Sequence, residues 1–175
     1  MISELVDVRY LSGFTGSNGS VLVWADGTDA AIATDGRYTA QVAAQTPDLP
    51  AVIARDTVGA LAAHAARQRP GLSLAFDADA VTVAEHQRLA DDPALADVTL
   101  VPVRSLVADL RAAKDAVEVA LVTAACEIAD AALAALLERG AIAAGRTERQ
   151  VARDLEWEMY ARGADAIAFE TIVAA

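Results

Sequence analysis

The spacing of apolar positions divides the chain into two stretches of different character. Up to about residue 104, short strand-like runs at 20–24, 51–54, 72–76 and 99–103 alternate with short helical patterns at 37–45, 58–68 and 82–90. Residues 2–14 open abruptly as a strand-like apolar run, with no cap or turn ahead of them. Asp26-Gly27, between SVLVW and AAIAT, marks a two-strand hairpin because Gly supplies the positive φ of a tight turn. Pro47 and Pro70-Gly71 stop helices, and Thr82 with Glu85 starts one. Strands alternating with helices of this length imply an α/β layer with partly parallel order.

The seam is SLVADLRAAKDAVEVAL, residues 105–121. Ser105 is placed to cap a short helix running through Arg111, and Asp115 with Glu118 reads as a capping box opening another. An ordinary kinked helix pair accounts for this stretch equally well. Beyond it, Val117, Leu121, Ala124, Ile128, Ala132 and Leu136 recur at helical spacing until Gly140. Thr147 with Gln150 opens a second helix that runs through Leu155 and Met159 to Gly163. Ile167, Phe169, Thr171 and Val173 then alternate with Ala168, Glu170 and Ile172, as in a strand. Two helices and one strand cannot bury both faces of a sheet, so the second half reads as unfinished.

Composition narrows the function classes. With 55% apolar but only 5% aromatic residues, the core is built mostly from Ala, Val and Leu. A net charge of −11 repels nucleic acid and anionic membrane surfaces alike, so neither is expected as a partner. Cys126 is the single cysteine, which rules out an internal disulfide, fits a reducing cytoplasm and reads as a buried thiol. No run is read as long enough to span a bilayer, and no leader is evident.

Candidate chemistry is sparse. GFTGSNGS, residues 13–20, has the glycines of an anion cradle but lacks a lysine and runs into a strand, so it reads as a tight loop. Asp77-Ala78-Asp79 suggests a cation pair, yet Ala80, Val81 and Val83 add no oxygen ligands, and a turn accounts for it. His64 and His86 have no second ligand at metal spacing, and Ser12, Ser17 and Ser20 lie in no nucleophile elbow. No complete catalytic constellation is present.

Five stretches in order, VRYLSGFTGSNGSVLV, ATDGRY, LRAAKDAVEVALV, GRTERQVARDLE and GADAIAFETIVAA, resemble the Xaa-Pro peptidases. These are the prolidases and aminopeptidases P, within the wider creatinase and methionine aminopeptidase group. The resemblance implies a creatinase-type N-terminal domain over 1–104, a mixed sheet flanked by helices that lacks the family's first helix and strand. It implies that 105–175 is the start of an α+β "pita-bread" metallopeptidase domain, ending before the metal ligands. Relatives cleave the peptide bond before proline with two divalent metals, often Mn²⁺, held by two Asp, one His and two Glu. All five ligands match positions beyond Ala175, so no catalytic or metal-binding residue and no cofactor is expected here, and the chain alone is expected to be inactive. The intact parent is expected to be a cytoplasmic homodimer or larger assembly acting on proline-containing peptides.

The resemblance also marks substrate-binding candidates. Asp7 would meet the substrate ammonium or serve as a turn or cap, and Arg9, Tyr10 and Asn18 would shape the rim. Phe169 would line the pocket for the residue before proline or pack in the core. Asp35, Arg37 and Tyr38 would form a buried ion pair under an aromatic lid. Two other readings stay open: a non-catalytic binding or assembly module of the same fold, and a creatinase-like hydrolase of a small guanidino compound.

Overall fold

Asp26-Gly27 turns the chain between β1 (Gly19–Val23) and β2 (Ala30–Thr34), which pair antiparallel from Gly19↔Thr34 to Val23↔Ala30. Gly27 sits at φ +70°, where a side chain would be strained, and Asp26 Oδ1 accepts from the Thr28 amide and hydroxyl. In this computed structural model, which describes residues 1–174, the chain forms two compact units, Met1–Ala113 and Lys114–Ala175. Within the first unit β3 (Ala51–Ile53) adds parallel to β2, and β4 (Ser73–Asp77) pairs parallel with β5 (Thr99–Val103). The two parallel steps are made through α2 (Thr39–Gln45) and α4 (Val83–Ala90), while α3 (Thr57–Gln68) carries the chain from one sheet to the other, so the expected α/β class and mixed strand order are present.

The start of the chain links the two sheets. Ile2 bridges Val21 of β1 through two 2.8 Å backbone hydrogen bonds, while the Met1 ammonium donates to the Ala75 carbonyl of β4 at 2.7 Å. Residues 2–14 are therefore not a strand: only Ile2 bridges, and the rest forms α1 (Leu5–Ser12), closed by Gly13. As a helix this segment satisfies its own backbone groups, drives Val8 into the core and turns Asp7 inward.

Two apolar clusters fill the unit. Leu22, Trp24, Ala33, Leu61, Leu74, Phe76 and Leu89 belong to one, and Ile2, Val8, Phe14, Val21, Ile32, Val42 and Val107 form the other. Val107 explains why the first unit runs to Ala113 rather than to Arg104. It is buried in that second cluster with Leu106 packed beside it, so α5 (Ala108–Ala112) belongs with the sheet. Ser105 does not cap α5; it takes φ +55°, and the cap position falls to Val107 without a side-chain hydrogen bond.

The second unit is a helical hairpin. Both expected capping boxes form, Asp115/Glu118 opening α6 (Ala116–Glu138) and Thr147/Gln150 opening α7 (Glu148–Ala161). Leu136, Ala141 and Val151 make a small core. Arg139 reaches Asp154 and Glu158, Arg146 reaches Asp154 at 2.9 Å, and Arg162 pairs with Glu158.

Three expectations fail in this unit. Residues 167–173 form no strand, because a strand takes its backbone partners from a neighbour and the described part of this unit contains only helices. Cys126 is exposed rather than buried, since only Ala132 and Leu136 of α6 are fully covered. The alanine- and leucine-rich α6, 23 residues long, also reaches a mean hydropathy of 1.9 over its most apolar stretch, enough by length and composition to cross a bilayer. Trp24 is 7% exposed in the first unit and Trp157 is 71% exposed on α7.

Candidate functional site

The GFTGSNGS loop is braced from several sides. Phe14 inserts its ring into the core, 1% exposed and edge-on to Tyr38 with centroids 5.9 Å apart. Gly16 lies over that ring so closely that a Cβ would stand 2.3 Å from Phe14 Cζ. The Ser17 and Tyr38 hydroxyls are 2.5 Å apart. Asn18 donates its amide to Asp35 Oδ2 at 2.9 Å and to the Arg55 carbonyl at 3.1 Å, and its own carbonyl accepts from Thr34 Oγ1 at 2.6 Å.

Asp35 is the hub of this network. Its carboxylate accepts from the Arg37 amide, Nε and Nη2 at 3.0, 2.9 and 2.7 Å, so Arg37 first and Asn18 second hold the Asp35 carboxyl well below the usual carboxylate range. The ion pair is buried on one side only: Asp35 is covered, while the Arg37 side chain is 68% exposed with its guanidinium 5.1 Å from the Tyr38 ring centroid. Beside the loop is a polar recess of about 260 Å³, bordered by Ser17, Asn18, Ser20, Thr57 and Glu85. The buried hydroxyls of Ser20 and Thr57 bond each other there at 2.9 Å.

The other sequence candidates lie apart from this network. Asp7 is turned inward on α1, its side chain 7% exposed, with Arg111 Nη1 2.8 Å from Oδ1. Arg9, two residues on, is exposed in the last turn. Phe169 belongs to the second unit, 77% exposed, where it borders an apolar groove of about 780 Å³ with Leu121, Ile128, Leu155, Met159 and Ile172. Asn18 is thus gathered with Ser17, Asp35, Arg37 and Tyr38, whereas Asp7 is gathered with Arg111, 104 positions away. Sequence reasoning missed Arg111 in this role; the available clue was that it and Asp7 lie within or beside stretches of the same resemblance.

Among the described residues no three His, Cys, Asp or Glu side chains come together to hold a cation.

The creatinase/prolidase N-terminal domain family matches residues 1–113, and metallopeptidase family M24 matches residues 120–175. An uncharacterized peptidase of Bacillus subtilis (strain 168), YqhT, is 31% identical over 174 residues, 99% of this chain and 48% of its own length. The crystal structure of the N-terminal domain of the cytoplasmic peptidase PepQ from Mycobacterium tuberculosis H37Rv is 46% identical. It aligns with a TM-score of 0.58 over 63% of this chain and 84% of that one. An Xaa-Pro dipeptidase from Bacillus anthracis is 28% identical, with a TM-score of 0.79 over 94% of this chain and 44% of that one. The chain spans about half the length of the curated relative that it matches end to end. With a first unit that coincides with the first match and a helical hairpin that falls within the second, the chain belongs to the creatinase/prolidase N-terminal domain family, continued by the opening of a family M24 metallopeptidase domain.

Proposed function

We propose that the protein containing this sequence is a metal-dependent Xaa-Pro peptidase that cleaves the bond before proline. The observation that carries this reading is the succession of the two family matches in one chain, with a fold that follows an Xaa-Pro dipeptidase across both units. Two divalent ions, Mn²⁺ by preference, would polarise the scissile carbonyl and activate water. Their ligands would come from other residues than those described, so this chain contributes walls and contacts rather than chemistry. Arg9 and Phe169, both exposed, are the side chains offered to a peptide, and Asn18 keeps the loop that borders the rim in shape. The parent is proposed to be a cytoplasmic homodimer or larger.

The test is hydrolysis by the protein expressed from the longer reading frame, loaded with Mn²⁺. An Xaa-Pro dipeptide should be turned over and an Xaa-Ala dipeptide should not, with a chelator abolishing the activity. Equal turnover of both dipeptides, or full activity in the presence of chelator, overturns the proposal. The 175-residue chain by itself should be inactive under the same conditions.

A further inference from the structure

Helix α1 and helix α5, nearly a hundred residues apart in sequence, grip each other at three points. Asp7 Oδ1 accepts from Arg111 Nη1 at 2.8 Å. Tyr10, one turn further along α1, donates its hydroxyl to the Leu110 carbonyl at 3.3 Å. Between them Val8, wholly buried, shares a cluster with Val107, the cap residue of α5. α5 is a single helical turn with no side-chain cap, preceded by Ser105 at positive φ, so its own sequence does little to hold it. It is also the last element of the first unit, which ends at Ala113.

We propose that Asp7, Tyr10 and Arg111 form a clamp that fixes where the chain leaves the first unit, and that Asp7 is a positioning residue rather than a contact for substrate. The chemistry of the pair supports this. A carboxylate turned inward and bonded to a guanidinium is poorly placed to receive a ligand's ammonium group. Arg111, with 38% of its side chain exposed, closes the solvent side of the pair. The two partners are unequal: without Arg111 the Asp7 carboxylate stays buried with its charge uncompensated, whereas without Asp7 the guanidinium can turn to water. The consequence for catalysis rests on the Xaa-Pro peptidase reading; the clamp itself does not.

The test uses Asp7→Asn, Arg111→Gln and the double variant, in which a neutral amide pair replaces the charged one. In the 175-residue chain, hydrogen exchange should show the Arg111 amide, bonded to the Val107 carbonyl at 3.1 Å, opening at least about 10-fold faster in each single variant. Amides of β1 and β2 should stay protected, and the double variant should recover most of the loss. Unchanged exchange at α5 overturns the clamp. In the longer peptidase both single variants should lower kcat/KM by about 10-fold or more, Arg111→Gln at least as much as Asp7→Asn, with the double no worse than Arg111→Gln. Loss confined to Asp7→Asn and expressed as a raised KM would mean that Asp7 touches substrate, and unchanged kinetics alongside a loosened α5 would mean that the clamp positions nothing; either overturns the proposal. If the longer protein cleaves no Xaa-Pro peptide, the functional reading falls, while the exchange experiment still decides the clamp.

Discussion

Replacing Gly16 by alanine isolates a purely steric demand of the loop. Gly16 has no positive φ, so alanine can adopt its backbone, but the new methyl carbon would stand 2.3 Å from Phe14 Cζ, 2.6 Å from Cε1 and 3.1 Å from Tyr38 Cγ. Carbon atoms in contact settle at about 3.5–4.0 Å, so the ring would have to retreat by more than ~1 Å. Phe14 is fully buried in the cluster that includes Val8, Val21, Ile32 and Val42, and close-packed interiors leave no such room. Overpacking of this kind costs about 1–3 kcal/mol. In urea titration of the first unit, with a slope on the order of 2 kcal/mol per molar, the midpoint should fall by roughly 1 M. Gly36 is the internal control: no atom lies within 4 Å of its added Cβ and its φ is not positive. Gly36→Ala should be neutral, or stabilising by about 0.4–1 kcal/mol through the unfolded chain. Adding Phe14→Leu to Gly16→Ala should cost less than the two changes summed, because the smaller side chain vacates the contested space. A Gly16→Ala midpoint within error of wild type, or an equal loss from Gly36→Ala, would refute the reasoning.

Two further outcomes follow from groups described above. Burial pushes the Met1 ammonium down from its usual 8.0 to about 6, so the folded 175-residue polypeptide releases that proton at lower pH than the unfolded one. The charge penalty is therefore complete below pH 6 and relieved above pH 8, and stability should rise by about 2–3 kcal/mol between those limits; a flat profile in urea titrations across this window would contradict it. Thr147→Ala removes the hydroxyl that accepts from the Gln150 amide and breaks the capping box of α7, at a cost of about 1 kcal/mol that Thr147→Ser should avoid; equal loss from both variants would mean that the cap contributes nothing.

Much of the fold was legible wherever the determinant was local. Asp26-Gly27 and the pairs Thr82/Glu85, Asp115/Glu118 and Thr147/Gln150 each act within four residues, and each appears as a turn or helix start. The misreadings concern segments whose state depends on what lies next to them. Residues 2–14, an apolar run, and 167–173, an alternating one, both read as strand-like, yet only Ile2 gains a bridge to another strand; the first segment turns into α1 and the second stays irregular. The bond between Asp7 and Arg111 spans 104 positions and has no local trace in the sequence. Asn18 was legible as a residue of interest, but its engagement with Asp35 and the Arg55 carbonyl becomes visible only when the loop, the end of β2 and the start of α3 are brought together.

The placement of the two tryptophans gives the protein its own optical probes. Trp24 lies beneath the Arg69 guanidinium, 4.2 Å from its ring centroid, and is closed off from solvent, while Trp157 stands open on α7. Loss of the first unit's structure should shift Trp24 emission to longer wavelength, whereas Trp157 already emits as a hydrated indole and responds little. With Trp157→Phe the remaining tryptophan emission, excited apart from the tyrosines, reports on the sheet-bearing half alone, so its melting can be followed in a single cuvette whatever the helical hairpin does.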